Sequence, residues 1–346
     1  SGQHVLFNQQ QLLYFAMKKI AIAIIGTGHL GAIHAKLIAQ NHDIHFAGIY
    51  DTDLERAQTI AQSHGTHAFQ NTDELLDNAD AIIIAAPTSV HHPLAMKAIN
   101  AQKHCFIEKP ITTTFAEAEE IILAAQDNNV VVQVGHVERF NPALTALHPY
   151  HINPMFIEAH RLAQFKPRAT DVSVVHDLMI HDIDIALSLV KSPIVSVEAS
   201  GVAVLTETAD IANARLKFMN GCVANITASR ISAQPMRKMR LFQKDGYFSI
   251  DFAKGSVDAY RILDRGSKTN DFNGIPATML GSIESGTVQR DIIFEQPPTE
   301  NVNAIAEEHK SFVQAINGDR HIAVTATDAA EALRIAEVIA ANVYKA

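Results

Sequence analysis

Cysteine and tryptophan are scarce in this sequence: its 346 residues contain two cysteines and no tryptophan. Cys105 and Cys222 do not form a Cys-x-x-Cys pair, which argues against a disulfide framework and against a thiolate zinc site. Both cysteines lie in segments typical of strands, so we expect them to be buried as small hydrophobic side chains.

An excess of basic residues and long apolar runs are also missing. The 28 lysines and arginines are outnumbered by 37 acidic residues, for a net charge of -9. This charge argues against a nucleic-acid partner, because neutralising phosphates requires a basic excess. No apolar run is long enough to cross a bilayer, so we expect no membrane partner. The composition, 47% hydrophobic and 19% charged, is that of a soluble globular enzyme, and the length favours two domains.

The first residues do not resemble a secretory signal. Residues 1–16 lack a positively charged start and a small-residue cleavage site. Met17, directly before the first strand, is typical of a natural start. We therefore expect residues 1–16 to be an added or upstream extension, and the protein to be cytoplasmic.

A glycine-rich loop follows the first strand. The apolar run 18–25 is typical of a buried parallel strand, and a G-x-G-x-x-G pattern follows it, formed by Gly26, Thr27, Gly28, His29, Leu30 and Gly31. In a dinucleotide-binding fold these glycines allow a tight turn, close approach to a pyrophosphate and helix–strand packing. The following helix presents its first N–H groups to the phosphates.

An acidic residue ends the second strand. Asp51 lies twenty residues after Gly31, where a carboxylate binds a ribose 2′-hydroxyl and disfavours a 2′-phosphate. We therefore predict NAD as the cofactor. Asp51 could instead cap the following helix, although Asp53 could fill that role.

Strands and helices continue to alternate up to Gly135, which predicts a doubly wound parallel sheet, a Rossmann domain. Ligands bind such sheets at the carboxyl ends of the strands. This position predicts further cofactor-binding residues, namely Ala86, Pro87, Thr88, His91, Glu108 and Lys109.

The second half predicts consecutive hairpins instead. We expect an α/β Rossmann domain followed by an α+β domain, whose open, mainly antiparallel sheet is covered by helices on one face. The other face needs a partner, which predicts a homodimer or homotetramer. The expected boundaries are 17–135 for the NAD-binding domain, 136–300 for the substrate and oligomerisation domain, and 301–346 for C-terminal helices that pack back on the body.

Four segments in fixed order resemble the glucose-fructose oxidoreductase / inositol dehydrogenase / MocA family. They are the glycine loop, Ala86-Pro87-Thr88, Glu108-Lys109-Pro110 and the motif Asp177-x-x-x-His181-x-x-Asp184. The stretches 134–142 and 171–184 are similar to the UDP-N-acetylglucosamine 3-dehydrogenase branch of that family. Val172-Ser173 replaces the Gly-Gly pair of many members, which favours a nucleotide sugar over a simple polyol.

The resemblance implies NAD-dependent oxidation of a sugar hydroxyl, which requires a base and a stabilising positive group. Asp177 and His181 are four residues apart, so on a helix they share one face. We predict His181 as the base and Asp177 as its orienting partner or as a ligand of a substrate hydroxyl, so that both residues also bind the substrate. Lys109 is the electrophile or proton-relay partner, and a rival for the role of base. The less favoured interpretations of this motif are a helix N-terminus with capping acids and a metal site, and we expect no metal.

A basic stretch follows the strand predicted at 155–159. We assign Arg161 and Arg168 to the phosphates of a nucleotide sugar, although a solvated run of charges is an equally good interpretation. Arg139 and Asn141 are predicted to line the nicotinamide and substrate side. We interpret the remaining histidines as scattered surface residues.

The substrate expected from the resemblance is UDP-N-acetylglucosamine, oxidised at C3. The 3-keto product would pass to an aminotransferase partner, as in lipid A biosynthesis. A dehydrogenase of a free sugar, inositol or another cyclic polyol is the alternative. A catalytically inactive dinucleotide-binding sensor is a third possibility.

Overall fold

The computed structural model describes residues 19–165, 172–264, 274–285 and 288–343. These residues form two compact units. The first contains residues 19–113, 119–135 and 309–325, and the second contains the remaining described residues. The extension expected at residues 1–16 lies outside the described residues.

The first unit is built on a parallel sheet of five strands in the order β2-β1-β3-β4-β5. The strands are β1 (Ile20–Ile25), β2 (Ile44–Tyr50), β3 (Ala81–Ile84), β4 (His104–Glu108) and β5 (Val132–Gly135). The helices between them are α1 (His29–Gln40), α2 (Leu54–His64), α3 (Thr72–Asp77), α4 (His91–Asn100) and α5 (Phe115–Asp127). The predicted Rossmann sheet is confirmed.

Burial explains why these apolar runs form parallel strands. All four residues of β3 are buried, as are the last four of β1, and strands covered on both faces are apolar at every position. Cys105, on β4, is fully buried, and Cys222 of the second unit is 2% exposed, so the prediction for the cysteines is confirmed.

The second unit is built on a nine-stranded sheet in the order β13-β14-β12-β11-β10-β6-β9-β8-β7. The strands are β6 (Phe156–Leu162), β7 (Ile194–Val202), β8 (Ile211–Phe218), β9 (Val223–Ser229), β10 (Met236–Gln243), β11 (Gly246–Asp251), β12 (Ser256–Asp264), β13 (Ala277–Ser285) and β14 (Val288–Glu295). Strands β6 and β9 pair in parallel, and the other neighbours pair antiparallel. Its helices include α6 (Pro142–Thr145), α7 (Ile180–Val190) and α9 (Ala326–Val343). Helix α8 (Ala304–Ile316) begins in this unit, and its residues from His309 onward belong to the first.

Helices cover one face of this sheet, as predicted. Helices α7 and α9 pack on each other, and their apolar side chains join those of the strands in one buried cluster. Along β6 buried and half-buried residues alternate, which is the pattern of a sheet with one covered face. No helix of the described residues is long and apolar enough to cross a membrane.

Two features differ from the sequence-based expectations. Strands β13 and β14 were not predicted, because β13 lies at the sheet edge and its apolar residues Met279, Leu280 and Ile283 are exposed rather than alternately buried. The C-terminal segment 301–346 is not one structural piece. Residues 309–325 belong to the first unit, whereas α9 belongs to the second.

Candidate functional site

The turn between β1 and α1 is packed too tightly for side chains at two of its glycines. Gly26 has a φ of +97°, and a Cβ there would lie 2.7 Å from the backbone of Ala85. A Cβ on Gly31 would clash with the carbonyl oxygen of Gly26. The predicted tight turn and close helix packing therefore both depend on glycine.

The start of α1 is open on its other side. No heavy atom lies within 4 Å of the Cβ position of Gly28, and Gly28, His29 and Leu30 are exposed. An exposed backbone without side-chain bulk at a helix N-terminus suits a pyrophosphate. These residues fit a bound dinucleotide.

Asp51, at the end of β2, is buried and fully hydrogen-bonded. One of its oxygens accepts hydrogen bonds from Thr27 N and Thr27 Oγ1 at 2.6 and 2.7 Å, and the other accepts from Asp53 N and Arg56 Nη2 at 2.9 and 2.8 Å. Asp53, not Asp51, caps α2 by accepting from Arg56 N. The capping role is therefore filled by Asp53.

The charge of Asp51 is strongly stabilised. Burial raises the pKa of its carboxyl, but the hydrogen bonds from Asp53, Thr27 and Arg56 outweigh burial and lower the pKa to about 2. An ionised carboxylate is the form that accepts hydrogen bonds from ribose hydroxyls.

His91, the first residue of α4, connects the loops after β3 and β4. Its Nε2 lies 2.8 Å from the carbonyl oxygen of Ala86, and its Nδ1 lies 2.9 Å from that of Pro110. The Lys109–Pro110 peptide bond is cis. Two further predicted cofactor residues lie in the same loop as Ala86, namely Pro87 and Thr88.

Glu108 precedes Lys109 and lies in a buried chain of hydrogen bonds. Its Oε1 is 2.8 Å from His34 Nε2, and His34 Nδ1 is 2.7 Å from His309 Nε2. The other oxygen accepts from the backbone N–H of Lys109 at 3.2 Å. A Cβ on Gly135 would lie 3.1 Å from the carboxyl group of Glu108, so the glycine makes room for it.

In the second unit, Asp177 lies in a turn of π-helix, Val175–Met179, that continues into α7. His181 lies in the first turn of α7, and both side chains are half-buried. Asp177 and His181 therefore lie on one continuous helical segment whose first part is π-helix and whose second part is α-helix. Single turns of π-helix occur frequently at functional sites. Burial lowers the pKa of the neighbouring His176, against the charge of Glu337.

Arg139 is bound to the helix that carries His181. Its Nε and Nη2 donate to the two oxygens of Asp184, at 2.6 and 2.8 Å. Burial lowers the pKa of Arg139, but the hydrogen bond and charge of Asp184 raise it more. His136 Nδ1 lies 3.8 Å from Asp184, and its ring meets the His181 ring edge-on, with centroids 6.5 Å apart.

The assignment of Arg161 to a diphosphate is corrected by the structure. Strand β6 runs to Leu162, so alternation places Arg161 on the covered face, where it is 4% exposed. Its guanidinium donates to Asp182 at 2.8 and 3.1 Å and to Glu138 at 2.8 Å. Burial lowers the pKa of Arg161, but Asp182 and Glu138 raise it by more, so Arg161 is a buried cation in an ion-pair network.

Asn141 also has internal partners. Its side-chain oxygen accepts from Ala143 N, which caps α6, and its amide donates to Glu138 and to the carbonyl of Phe252. Arg168, the other predicted diphosphate ligand, lies outside the described residues.

The predicted residues thus fall into two groups. The glycine loop, Asp51, Ala86 and Glu108 lie at the carboxyl ends of the strands in the first unit, whereas Asp177 and His181 lie on the joined π-helix and α-helix of the second. Sequence reasoning missed four buried partners, namely His34, His309, His136 and Glu138. Two of them gave a signal, because His34 lies on the buried stripe of α1 with Gly31, Ala35 and Ile38, and His309 lies on the buried side of α8 with Phe312.

Comparisons with known proteins match both units. A family model described as "Oxidoreductase family, NAD-binding Rossmann fold" matches residues 20–136, and one described as "GFO/IDH/MocA C-terminal domain" matches residues 147–258.

Individual relatives agree with these matches. The chain is 39% identical over 301 residues to the UDP-N-acetylglucosamine 3-dehydrogenase of Acidithiobacillus ferrooxidans, covering 87% of this chain and 93% of the relative. It is 28% identical over 201 residues to the inositol 2-dehydrogenase of Rubrobacter xylanophilus, covering 54% and 56%.

Solved structures share the fold. A structure of the Acidithiobacillus ferrooxidans enzyme superposes with a TM-score of 0.83 at 35% identity, covering 95% of this chain and 99% of that chain. Scyllo-inositol dehydrogenase from Lactobacillus casei superposes with a TM-score of 0.74 at 20% identity, covering 95% and 98%. With a Rossmann unit that fits a dinucleotide and a matched C-terminal domain, the chain belongs to the GFO/IDH/MocA family of NAD-binding oxidoreductases.

Proposed function

We propose that this protein uses NAD⁺ to oxidise the C3 hydroxyl of UDP-N-acetylglucosamine to a ketone. The proposal rests on the 39% identity to a UDP-N-acetylglucosamine 3-dehydrogenase, because the alignment covers 87% of this chain and therefore extends over both units. The candidate catalytic residues Lys109, Asp177 and His181 are all present in the sequence.

The chemistry divides between the cofactor and the chain. A dinucleotide held by the glycine loop 26–31 and Asp51 would supply the hydride acceptor for oxidation at C3. His181 takes the proton of the C3 hydroxyl as general base, and Asp177 orients its ring or binds a neighbouring substrate hydroxyl. Lys109 stabilises the developing alkoxide and is the second candidate for the base.

Recognition of the diphosphate falls to Arg168, since Arg161 is engaged by Asp182 and Glu138. Replacing Arg168 with alanine should raise KM for the UDP-sugar strongly and change kcat less, because the diphosphate is remote from C3. An unchanged KM would remove Arg168 from the substrate site.

The test of the substrate is a direct comparison. NADH formation is measured with UDP-N-acetylglucosamine, free N-acetylglucosamine and myo-inositol, and the oxidised carbon is identified by NMR. We expect turnover only with the nucleotide sugar. Equal efficiency with the free sugar or inositol would favour the polyol dehydrogenase, and NADH binding without any turnover would favour the inactive sensor.

The open face of the second unit's sheet supports a homodimer or homotetramer. Five aromatic rings cross it in a row: Phe156, Phe242, Tyr247, Tyr260 and Phe294. Neighbouring centroids are 5.9, 4.9, 5.6 and 5.0 Å apart. An apolar row on an uncovered sheet is typical of an interface, and a second copy would present the same row in an isologous contact. Light scattering should give a dimer or tetramer, and Phe242→Glu with Tyr260→Glu should give a monomer.

The 3-keto product has a carbonyl that transamination converts to an amine. We propose that a cytoplasmic aminotransferase consumes it, as a lipid A pathway would require. A coupled assay with purified candidate aminotransferases and an amino donor tests this partner.

A further inference from the structure

The first unit contains a chain of three buried side chains that ends at the backbone of Lys109. We propose that His34 and His309 are positioning residues for Lys109, acting through the carboxylate of Glu108. The proposal rests on the role of Lys109 in the proposed function.

The order of hydrogen bonds follows from donor chemistry. A carboxylate can only accept, so His34 Nε2 carries the proton that is donated to Glu108 Oε1, 2.8 Å away. His34 Nδ1 then pairs with His309 Nε2 at 2.7 Å. Burial and the nearby His34 lower the pKa of His309 well below its ordinary range, which keeps that ring neutral. The bond between the two rings has one donor and one acceptor, and the tautomers of the rings set which one donates.

Packing alone does not account for these residues. His34 is fully buried and His309 is 1% exposed, and both rings lie edge-on to Phe106, at 5.6 and 6.2 Å between centroids. On the apolar stripe of α1 a leucine would fill similar space without a polar group to satisfy. The two imidazoles are explained by the need to fix the buried carboxylate of Glu108.

The carboxylate has little freedom to move elsewhere. Gly135 lies against the Glu108 carboxyl group so closely that a Cβ on Gly135 would be 3.1 Å from it. Glu108 Oε2 receives the Lys109 N–H at 3.2 Å, and His91 holds the Pro110 carbonyl at 2.9 Å. The main chain of Lys109 is thus fixed on both sides, and the N–H side depends on His34.

Three substitutions test the chain. His34→Phe keeps the ring volume and removes both hydrogen bonds. His34→Gln keeps an N–H donor for Glu108 and an acceptor for His309. His309→Phe removes only the outer link. The matched control is His104→Phe, at the opposite end of β4, where Nδ1 accepts from the backbone N–H of Val131 and no link to Glu108 is broken.

Two measurements are made on each folded variant. Hydrogen exchange at the Lys109 amide, resolved by NMR, needs no substrate. Turnover is measured with whichever sugar the wild type oxidises, alongside KM for NAD⁺. For His34→Phe we expect exchange of the Lys109 amide to be faster, and kcat to be lower, by about tenfold or more each. KM for NAD⁺ should stay within about threefold of the wild-type value. Both quantities should change less in His309→Phe than in His34→Phe. His34→Gln should keep exchange and kcat close to the wild-type values. His104→Phe should lower only Tm.

The outcomes separate the two proposals. If His34→Phe folds and leaves both Lys109 exchange and kcat at wild-type values, or if His34→Gln is as impaired as His34→Phe, the positioning role is wrong. Should the wild type oxidise none of the sugars, the proposed function fails, while the exchange measurement still decides whether His34 fixes Lys109.

Discussion

The guanidinium of Arg161 forms a two-point ion pair with Asp182, in which Nε and Nη2 lie 2.8 and 3.1 Å from the two carboxylate oxygens. Asp182 directly follows His181, so this pair anchors the segment that carries the proposed base to strand β6. Glu138 accepts from the same guanidinium. A residue that resembles a phosphate ligand in the sequence is therefore part of the scaffold.

Arg161→Ala should destabilise the protein by about 3 to 5 kcal/mol, because it leaves buried carboxylates without their cation. Urea denaturation measures the loss. The control is Arg240→Ala on the neighbouring strand, whose exposed pair with Glu158 should contribute no more than about 1 kcal/mol. Full stability of Arg161→Ala combined with a raised KM for the UDP-sugar would restore its assignment to the diphosphate.

Cofactor choice should depend on Asp51 and its neighbour Arg56. We expect kcat/KM to favour NAD⁺ over NADP⁺ by about tenfold or more. Asp51→Ala should reduce this preference in two ways. It should lower kcat/KM for NAD⁺, because the ribose ligand is removed, and raise kcat/KM for NADP⁺, because Arg56, 2.8 Å away, is released to pair with a 2′-phosphate. In the double variant Asp51→Ala/Arg56→Ala the gain for NADP⁺ should disappear. A wild-type preference for NADP⁺ contradicts the assignment.

Lys109→Ala and His181→Ala should each lower kcat by about two to four orders of magnitude, the usual contribution of a positioned acid or base. Neither residue is needed for the pyrophosphate, so NADH affinity, measured by fluorescence titration, should change little. Near-native turnover of His181→Ala would transfer the role of base to Lys109.

Asp210 should make stability depend on pH. Burial raises the pKa of its carboxyl, but hydrogen bonds from the backbone of Leu205, Val204 and Thr206 lower it to about 2, from an ordinary value of 3.8. Because the folded-state pKa is the lower one, the carboxylate stabilises the fold above pH 3.8, and this contribution is lost as the pH falls toward about 2.

Asp210→Asn should therefore destabilise the protein at neutral pH. The difference in unfolding free energy from the wild type should shrink as the pH falls from 3.8 to about 2. Denaturation curves at several pH values measure the difference. A difference that stays constant down to the lowest pH would show that the charge of Asp210 is not what matters.

Much of the cofactor half could be predicted from sequence because its signals are local. An apolar run, a glycine turn and a helix occupy consecutive residues, and Asp51 and Glu108 each end a strand. In a parallel sheet, strand ends meet at one edge, so local patterns were sufficient to bring these residues together.

The sequence by itself determined the strand-and-helix order, the glycine loop and the acid at the end of β2, because each depends on residues adjacent in the chain. Only the tertiary structure decided the partners of the buried charges. His34 and His309 are 275 positions apart, and Arg161 meets residues 23 positions before and 21 positions after it. The periodicity of a helix or strand can indicate that such a side chain is buried, but it does not indicate which distant residue is its partner.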